Sequence, residues 1–427
     1  MNLKSLIPQY LKNYYHFLQA ILANVVFGFP SRRVKVIGIT GTNGKTTTTQ
    51  MIAKILEEAG HKVAMASTIN FKIGKKEWVN KTKFTTLSSF SVQKFIKKAA
   101  DAKCDYLVLE TSSHSLDQYR VWGIKYDVAV ITNVTREHLD YHKNMDEYRV
   151  AKLKLFRGVL TIVVNLDMEK PRDYLLWSAK NKYGFTKKEI DCAKLDCGKV
   201  NLVRAENISL EIDHSAYTIN GDKYELKLPG EFNVENALGA TAVAFSQGIS
   251  PETIKKALAK IDYIPGRMYF VKNDKGFNVI IDYALTPDSL EKLYFLIDRI
   301  KNKRPGAKVI AVFGSCGERD RGKRPMMGEI VSKHADYIVV TNEDPYGENP
   351  ESIINEVFSG VIGKVEGKNC WRILDRREAI RFALKLAHSG DIMVVTGKGA
   401  EETMAVGDQR IPWNDEKVIL EELGNAN

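Results

Sequence analysis

The feature that most constrains this chain is a short glycine-rich segment placed between an apolar run and a helical pattern. Residues 36–48 read Val-Ile-Gly-Ile-Thr-Gly-Thr-Asn-Gly-Lys-Thr-Thr-Thr. Apolar residues then recur with helical spacing between Met51 and Leu56, and the pattern ends at Gly60, as helices commonly do. A buried strand, a glycine loop and a helix start in this order predict a phosphate-binding loop, because the N–H groups of the helix start converge on an anion.

Each residue type in this loop has a chemical role. The glycines leave room for a phosphate, Lys45 supplies a positive charge, and the Thr46 hydroxyl can ligate Mg²⁺. The strict Walker spacing has a glycine where this chain has Ile39, so the loop is a shortened variant, Gly-Thr-Asn-Gly-Lys-Thr. The residues predicted to bind ATP here are Gly41, Thr42, Asn43, Gly44, Lys45, Thr46 and Thr47.

Composition narrows the class of protein. With 427 residues, 44% hydrophobic and 27% charged, the chain is typical of a globular protein of two to three domains. The net charge of +11 comes from lysines spread over the whole length, which favours small anionic substrates over nucleic acid. Five cysteines at irregular spacing predict no disulfide framework, and Cys192 and Cys197 have no second pair to complete a zinc site. We therefore expect a reduced, cytoplasmic protein.

Residues 1–33 form a separate segment that is strongly apolar from Tyr10 to Phe29. Polar residues interrupt it too often for a transmembrane span, and it lacks the cleavage site of a signal peptide. These polar residues fall on one arc of a helical projection: Lys12, Asn13, His16, Gln19 and Asn24. The pattern predicts an amphipathic helix introduced by Pro8, which either packs on the body of the protein or lies on a membrane surface or a partner.

The remaining sequence alternates short apolar strands with helical segments, which predicts an α/β protein with mostly parallel sheets. We expect a central domain over residues 34–264 and a C-terminal domain over 265–427, with β-hairpins between Lys199 and Lys227. The predicted strands are Val34–Ile39, Tyr106–Glu110, Val128–Asn133, Thr161–Asn165, Asn278–Asp282, Lys308–Phe313, Tyr337–Thr341 and Asp391–Thr396. The predicted helices of the C-terminal domain include Pro287–Arg299 and Arg377–Ala387.

Polar side chains stand at the carboxyl ends of two predicted strands, where open α/β sheets bind ligands. Glu110 closes one strand, and the next strand leads to His138. A carboxylate and a histidine beside a phosphate loop are ligands suited to Mg²⁺–ATP. A solvated strand terminus and a structural histidine are the alternatives.

Eight blocks of sequence together resemble the Mur ligase family, and within it the enzymes of the UDP-N-acetylmuramoyl-tripeptide synthetase type. The resemblance covers residues 34 to about 415 and depends on the order of the blocks more than on any single one. The blocks are residues 41–48, 110–120, 132–142, 232–236, 265–268, 282–288, 313–325 and 397–401.

The resemblance implies a P-loop ATPase domain followed by a Rossmann-like α/β domain, with ATP and Mg²⁺ as cofactors and ATP bound between the two domains. It also implies amide ligation, in which the carboxylate of UDP-N-acetylmuramoyl-L-Ala-D-Glu is phosphorylated and then attacked by the amine of a free amino acid. We expect a monomer. The catalytic residues implied are Lys45, Glu110, His138 and Lys152, and the magnesium ligands are Thr46, Glu110, His138 and a carbamylated Lys152.

The same resemblance assigns further roles. Asn233 and Asn236 match adenine contacts, and Arg267 and Asp282 match contacts to the γ-phosphate and the ribose. The positions that match contacts to the muramoyl peptide are Thr85, Thr86, Ser112, Gln118 and Arg120. The positions that match the amino-acid site are Arg324, Glu343, Asp344, Tyr346, Gly397 and Glu401.

Three departures from the family pattern bear on the substrate. Residues 1–33 stand where the family usually has a domain that binds the uridine nucleotide, which opens the possibility of a lipid-linked muramoyl acceptor. Two family histidines are Leu285 and Ala400 here. The family's Asp-Asn-Pro-Arg motif for diaminopimelate reads Glu343-Asp-Pro-Tyr346, and the loss of an arginine among carboxylates favours L-lysine or L-ornithine over meso-diaminopimelate.

Other functions remain as alternatives. A ligase that resembles folylpolyglutamate synthase, or a lipid-linked Mur-type enzyme, would share the ATP site. A P-loop switch or nucleic-acid-dependent ATPase would hydrolyse ATP without any dependence on an amino acid. A catalytically inactive regulator conflicts with the presence of Lys45, Glu110, His138 and Lys152.

Overall fold

The computed structural model describes residues 8–82, 84–190 and 198–424. Cys192 and Cys197, for which no zinc site was expected, lie outside the described residues. The chain divides into two compact units, and two short segments within the range 34–264 belong to the second. The first unit comprises Met1–Thr135, Asn144–Lys227 and Glu231–Asp262, and the second comprises Arg136–Lys143, Leu228–Gly230 and Tyr263–Asn427.

The first unit is built on a nine-stranded sheet. Its strands are β1 (Lys35–Thr40), β2 (Val63–Ala66), β3 (Asn70–Ile73), β4 (Lys76–Val79), β5 (Tyr106–Glu110), β6 (Val128–Ile131), β7 (Thr161–Asn165), β8 (Asn181–Thr186) and β9 (Asn201–Arg204). Their order is β4-β3-β2-β5-β1-β6-β7-β8-β9, and neighbours run parallel except in the β2-β3 and β3-β4 pairs. Strands β5, β6 and β7 are buried throughout, which explains their continuous apolar sequences. The predicted mostly parallel sheet is confirmed.

Helices cover this sheet. They are α1 (Gln9–Phe27), α2 (Lys45–Glu58), α3 (Ser89–Asp101), α4 (Ser113–Asp117), α6 (Met145–Leu153), α7 (Arg172–Leu175), α8 (Glu231–Ser246) and α9 (Pro251–Ala259). Val92 of α3, Leu116 of α4 and Tyr148 of α6 share one buried cluster with the sheet. Helices α2 and α8 pack on each other, and they also contact strands β5 and β8, respectively. The ends of β1 and β5, at Thr40 and Glu110, lie side by side in this layered arrangement because the two strands pair in parallel.

The region between Lys199 and Lys227 is only partly the set of hairpins expected from its sequence. Strands β10 (Glu206–Leu210), β11 (Ser215–Ile219) and β12 (Asp222–Leu226) form an antiparallel sheet. Strand β9, which precedes them, instead pairs in parallel with β8 as the last strand of the large sheet. Strand β9 lies at the edge of the sheet with one neighbouring strand. An alternating sequence is typical of such a strand and of a hairpin strand alike, so the pattern alone does not distinguish them.

The second unit contains a six-stranded sheet with helices. Its strands are β13 (Tyr269–Val271), β14 (Asn278–Asp282), β15 (Val309–Phe313), β16 (Tyr337–Thr341), β17 (Cys370–Ile373) and β18 (Ile392–Thr396), in the order β13-β14-β18-β15-β16-β17. All neighbours are parallel except β13 and β14. A separate hairpin joins β19 (Thr403–Val406) to β20 (Gln409–Pro412). The helices are α5 (Leu139–His142), α10 (Pro287–Asn302), α11 (Lys323–His334), α12 (Pro350–Phe358), α13 (Arg376–Leu386) and α14 (Asp415–Gly424).

Helix α1 begins directly after Pro8, as predicted, and packs on the first unit. Phe17 makes edge-to-face ring contacts with Tyr119 and Trp122, and α1 also packs along α3. Among the described residues, no helix combines the length and the apolar character needed to cross a bilayer.

A buried ion pair joins α13 to α14 in the second unit. Arg376 donates from Nε and Nη2 to the two carboxylate oxygens of Asp415, at 2.9 and 2.7 Å, and both side chains are fully buried. The same guanidinium donates to the carbonyl oxygen of Thr396 at the end of β18. The pair therefore connects two helices to a strand that carries site residues.

Asp415→Asn is expected to lower the free energy of unfolding by about 3–5 kcal/mol, because it leaves a buried guanidinium without its countercharge. Urea denaturation would measure the change. Glu421→Gln is the matched control, since Glu421 pairs with Arg377 at an exposed position and its loss should cost about 1 kcal/mol or less. Equal effects of the two substitutions would contradict this role for the Arg376–Asp415 pair.

Candidate active site

The glycine-rich loop lies between β1 and α2. Gly41 and Gly44 are required there because neighbouring side chains leave no room for a Cβ atom. Gly44 immediately precedes the helix with φ of 80°, in the left-handed region. A Cβ at Gly44 would lie 2.2 Å from Oδ1 of Asn236, and a Cβ at Gly41 would lie 1.9 Å from Oγ1 of Thr132. The loop therefore packs closely on its neighbours, and the first N–H groups of α2 point away from the helix body toward the loop.

The side chain of Lys45 bends back over the loop that precedes it. Its Nζ donates to the carbonyl oxygens of Gly41 and Thr42, at 3.1 and 2.7 Å. The Lys45 ammonium group therefore lies beside the loop that precedes α2, near the free N–H groups of the first helical turn. Both features favour an anion at the same point.

The end of β6 holds the loop in shape, a role that the sequence did not reveal. Oδ1 of Asn133 accepts from the backbone N–H of Asn43 at 2.8 Å, and Thr132 donates from its hydroxyl to the Asn43 carbonyl at 2.6 Å. Thr42 donates its N–H to the Asn133 carbonyl at 2.9 Å. The signal available in the sequence is the pair Thr132-Asn133 at the end of the predicted strand Val128–Asn133.

Thr46 and Glu110 form a compact set of oxygen atoms. The Thr46 hydroxyl donates to Oε2 of Glu110 at 3.0 Å, and Glu110 also accepts from the backbone N–H and the hydroxyl of Thr68, at 2.8 and 2.9 Å. Glu110 is 1% exposed. Within the described ranges no group of three or more His, Cys, Asp and Glu side chains forms a ready-made metal site. A magnesium ion here would be held by the Thr46 hydroxyl, the Glu110 carboxylate and oxygen atoms of phosphate and water. Mg²⁺ commonly has few protein ligands of this kind.

Lys152 is buried beside the same loop. Its Nζ donates to the carbonyl oxygen of Gly41 at 2.7 Å and lies 4.2 Å from the centre of the Tyr148 ring. The Tyr148 hydroxyl in turn lies 3.1 Å from Oγ1 of Thr42. Tyr148 was not singled out from the sequence, although it lies one helical turn before Lys152.

Four of the five residues matched to the muramoyl peptide lie together next to Glu110. Thr85 accepts from the hydroxyl of Thr68, which also bonds to Glu110. The hydroxyl of Thr86 donates to the Glu110 carbonyl at 3.1 Å and accepts from the N–H of Ser112 at 2.9 Å, and Arg120 donates to the Thr86 carbonyl at 2.8 Å.

The remaining predicted residues of the first unit lie on α4 and α8. Gln118 directly follows α4 and donates its N–H to the His114 carbonyl. Asn236 accepts from the Thr48 hydroxyl at 3.3 Å and donates to Oδ1 of Asn233 at 3.4 Å. Both asparagines are therefore anchored beside the loop and the first turns of α2.

His138 belongs with the second unit. It lies in the segment Arg136–Lys143, immediately precedes α5 and has φ of 58°. A histidine in this left-handed region is uncommon. In the same segment Glu137 pairs with Lys323, whose ammonium is buried and donates to Oε1 at 3.1 Å and to the Leu285 carbonyl at 2.9 Å. Lys323 was another residue that sequence reasoning did not select.

Asp282 and Arg267 lie close together in the second unit. The carboxylate of Asp282 accepts from the N–H groups of Met268 and Ala284, each at 2.7 Å. Burial raises the pKa of Asp282, while the positive charge of Arg267 opposes that rise. The Arg267 guanidinium lies 4.3 Å from the centre of the Tyr283 ring.

The loop after β18 packs tightly on its surroundings. A Cβ at Gly266 would lie 2.1 Å from the backbone nitrogen of Ala400, and a Cβ at Gly397 would lie 2.3 Å from Oε2 of Glu343. Glu343 is 1% exposed and accepts from the Cys316 thiol at 2.9 Å. Burial raises the pKa of the Glu343 carboxyl, which favours its neutral form.

Two predicted carboxylates share one buried lysine. Lys398 donates to Oδ1 of Asp344 at 2.9 Å and also to Oε2 of Glu401, while Glu401 accepts from the Tyr283 hydroxyl at 3.3 Å. Lys398 therefore offsets much of the negative charge that the sequence assigned to this site. Lys398 lies inside the block 397–401, but its sequence position alone does not predict this contact.

Arg324 and Tyr346 have surroundings that bear on substrate choice. The fully buried Arg324 donates to both carboxylate oxygens of Glu348, at 2.9 and 3.0 Å, and to Glu356 at 2.7 Å. The Tyr346 ring has the guanidinium carbons of Arg319 and Arg410 at 5.5 and 5.2 Å from its centre. These two cations were not identified from the sequence.

Comparisons with known proteins agree with this arrangement. The family model described as "Mur ligase middle domain" matches residues 39–244, and the one described as "Mur ligase, glutamate ligase domain" matches residues 266–399. A UDP-N-acetylmuramoyl-L-alanyl-D-glutamate–2,6-diaminopimelate ligase from Syntrophomonas wolfei is 40% identical over 411 residues, which cover 95% of this chain and 81% of the relative. The chain belongs to the Mur ligase family.

Other relatives of this Mur ligase have similar names. A UDP-N-acetylmuramyl-tripeptide synthetase from Roseiflexus sp. is 36% identical over 423 residues, with 95% of this chain and 82% of the relative covered. A solved structure of a UDP-N-acetylmuramoyl-L-alanyl-D-glutamate–2,6-diaminopimelate ligase has a TM-score of 0.59 and 28% identity over 92% of this chain and 79% of that chain. Folylpolyglutamate synthase from Mycobacterium tuberculosis has a TM-score of 0.66 at 17% identity, covering 89% of this chain and 92% of that chain, which shows a shared fold.

These findings confirm three predictions: the family, the pairing of a P-loop domain with a Rossmann-like domain, and the enzyme class. The chain is an ATP-dependent ligase that forms C–N bonds, and Mg²⁺ is usual in its family. The residues of the first unit fit this cofactor, since Thr46 and Glu110 present oxygen atoms within hydrogen-bonding distance of one another beside the phosphate loop.

Proposed function

We propose that this Mur ligase joins a diamino acid to the D-glutamyl carboxylate of UDP-N-acetylmuramoyl-L-Ala-D-Glu, with ATP as the energy source. The observation that carries the proposal is the position of Glu110. Its side chain bonds to Thr46 of the phosphate-loop helix, and its backbone carbonyl bonds to Thr86 of the segment matched to the muramoyl peptide. A phosphate-binding element and a candidate acceptor-binding element therefore share one residue.

The chemistry requires an activated carboxylate, because a free carboxylate is a poor electrophile. Transfer of the terminal phosphoryl group of ATP gives an acyl phosphate, and attack by the amine then releases phosphate and forms the amide. Lys45 would stabilise the charge that develops on the transferred group. Mg²⁺, held by Thr46 and Glu110, would supply further charge neutralisation when bound. Arg120 and Ser112 would orient the carboxylate that is phosphorylated.

For the incoming amino acid, we propose L-lysine or L-ornithine in preference to meso-diaminopimelate. Tyr346 replaces the arginine that would pair with a distal carboxylate. Burial favours the neutral form of the Glu343 carboxyl in the free protein, and a distal ammonium bound beside it would favour ionisation of this carboxyl and pair with it. Lys398 already neutralises part of the charge of Asp344 and Glu401, so Glu343 is the group on which this preference depends.

The test is phosphate release from ATP with UDP-N-acetylmuramoyl-L-Ala-D-Glu, comparing L-lysine, L-ornithine and meso-diaminopimelate. We expect turnover that requires both the acceptor and the amino acid. ATP hydrolysis without either would contradict the ligase assignment for these substrates. No turnover with any of the three, combined with turnover on a lipid-linked muramoyl dipeptide, would replace the proposed acceptor.

Tyr346→Arg is expected to raise relative kcat/KM for meso-diaminopimelate over L-lysine by about tenfold or more, because it adds a guanidinium that can pair with the distal carboxylate. Competition between the two amino acids in one reaction would measure the ratio. Tyr346→Phe is the control, since it removes the hydroxyl and adds no charge. An unchanged ratio in Tyr346→Arg would contradict the assignment of residue 346 as the selector of the distal group.

A further inference from the structure

Helix α1 packs on the protein through a mixed set of polar and apolar residues, and its outward side is largely apolar. Asn13 donates to Asp117 at 3.2 Å, and the buried Asn24 donates to the Trp122 carbonyl at 2.8 Å. The exposed large side chains, here called the outer face of α1, are Tyr10, Leu11, Tyr14, Tyr15, Leu18, Leu22, Val25 and Val26. A surface helix normally exposes polar side chains on its outward side, and exposed apolar patches of this kind mark interaction sites.

The outer face combines aromatic and aliphatic side chains, and lysine and arginine residues lie around it. Three of its eight side chains are tyrosines, whose rings and hydroxyls suit the boundary between hydrocarbon and water. The first acidic residue of the whole sequence is Glu57, so the segment that carries α1 has lysines and arginines but no aspartate or glutamate. Lys12 on the helix and Arg32 just after it are among these cations.

Helix α3 adds further basic residues near the outer face. Phe90 at the start of α3 makes a ring contact with Phe27 at the end of α1, and Lys94 and Lys98 follow Phe90 at intervals of four residues, both exposed. The neighbouring acidic groups are already paired, since Asp101 bonds to Arg33 and Lys97 and Asp117 bonds to Lys154. The charge around the outer face is therefore predominantly positive.

This charge distribution favours an anionic surface over a second copy of the chain. In a two-fold dimer the outer face would meet itself, and cations of one copy would face cations of the other. Paired helices normally gain from opposite charges beside the apolar seam, and Lys12 is the sole Lys, Arg, Asp or Glu residue of α1.

We propose that the outer face of α1 docks on bilayers that contain anionic phospholipids, with the helix lying in the plane of the interface. The apolar side chains would enter the boundary between headgroups and acyl chains, and Lys12, Arg32, Lys94 and Lys98 would attract the anionic headgroups. Binding is reversible and weakens as salt rises, because the electrostatic part is screened.

The experiment is flotation of the full chain with vesicles of phosphatidylglycerol and phosphatidylcholine, beside vesicles of phosphatidylcholine alone. We expect binding to the anionic vesicles and at least about tenfold weaker binding when Leu18→Gln and Leu22→Gln are combined. The matched control combines Leu160→Gln and Leu176→Gln. Leu18 and Leu22 are 47% and 55% exposed, and Leu160 and Leu176 are 54% and 56% exposed on the same unit.

Because all four leucines are at the surface, the variants should keep the thermal stability of the parent chain, and this is measured alongside. Absence of vesicle binding by the parent chain overturns the proposal. So does equal loss of binding in both double variants. Sedimentation that shows a dimer abolished by Leu18→Gln with Leu22→Gln would also overturn it, because a second copy would then cover the outer face.

Discussion

Lys45→Ala is expected to lower kcat at least about a thousandfold while the protein remains folded. The Lys45 ammonium lies over the loop carbonyls of Gly41 and Thr42, at the start of α2. No other side chain of the loop carries a positive charge, so alanine would leave the transferred phosphoryl group without its nearest cation. Single-turnover phosphate release with saturating ATP separates this loss from weaker nucleotide binding.

Lys54→Ala is the matched control, because Lys54 lies on the same helix more than two turns away and its side chain is partly exposed. It should keep nearly all activity. If Lys45→Ala retained turnover within about tenfold of the parent, the charge would come from elsewhere, and the ATP site proposed for the loop would be wrong.

Much of the fold was predictable because its local signals agree with one another. Strands β5, β7, β14 and β16 were predicted with the bounds that the structure has, since each is a largely apolar run that pairs in parallel with at least one neighbour. Strand β9 was not placed correctly. A short alternating strand has the same pattern at the edge of a parallel sheet as in a hairpin, and only the tertiary partner distinguishes them.

For the candidate site, the sequence predicts residue types but not the balance of charge around them. The resemblance matches Asp344 and Glu401 to the amino-acid site, whereas their contact with Lys398 depends on how the loop after β18 folds. Arg410 lies on a separate hairpin and still approaches the Tyr346 ring. Net charge at a site depends on such distant partners, which spacing along the chain does not reveal.

The outer face of α1 illustrates the same limit. A helical projection separates polar from apolar residues but does not say which side faces the protein. Here the side that faces the protein carries both kinds of residue, since Asn24 donates to the Trp122 carbonyl while Phe17 packs on the Trp122 ring. A buried polar group needs a specific hydrogen-bond partner, whereas an apolar side chain can be buried against any apolar surface.

Lys152→Ala is expected to lower kcat at least about a hundredfold, because we propose that Lys152 acts as a carbamate and not as a cation. Its Nζ is buried, lies 2.7 Å from the Gly41 carbonyl and is close to the phosphate loop. The ammonium would first lose one proton, and attack of the neutral amine on CO₂ would then form an N–C bond and release a second proton. The product is an anionic carbamate able to support Mg²⁺. Incubation of the parent chain with ¹³C-labelled bicarbonate should give a carbamate signal in NMR spectra, and the alanine variant should lack it.

Two further substitutions distinguish the two roles of Lys152. Lys152→Arg keeps the positive charge but does not form a carbamate, so it should be as inactive as the alanine variant. Lys152→Glu restores a carboxylate near the same place and should recover part of the activity. Lys154→Ala is the control, since Lys154 pairs with Asp117 and is 32% exposed. Full activity in Lys152→Arg, together with no carbamate signal in the parent chain, would show that Lys152 works as a cation that holds the loop through Gly41.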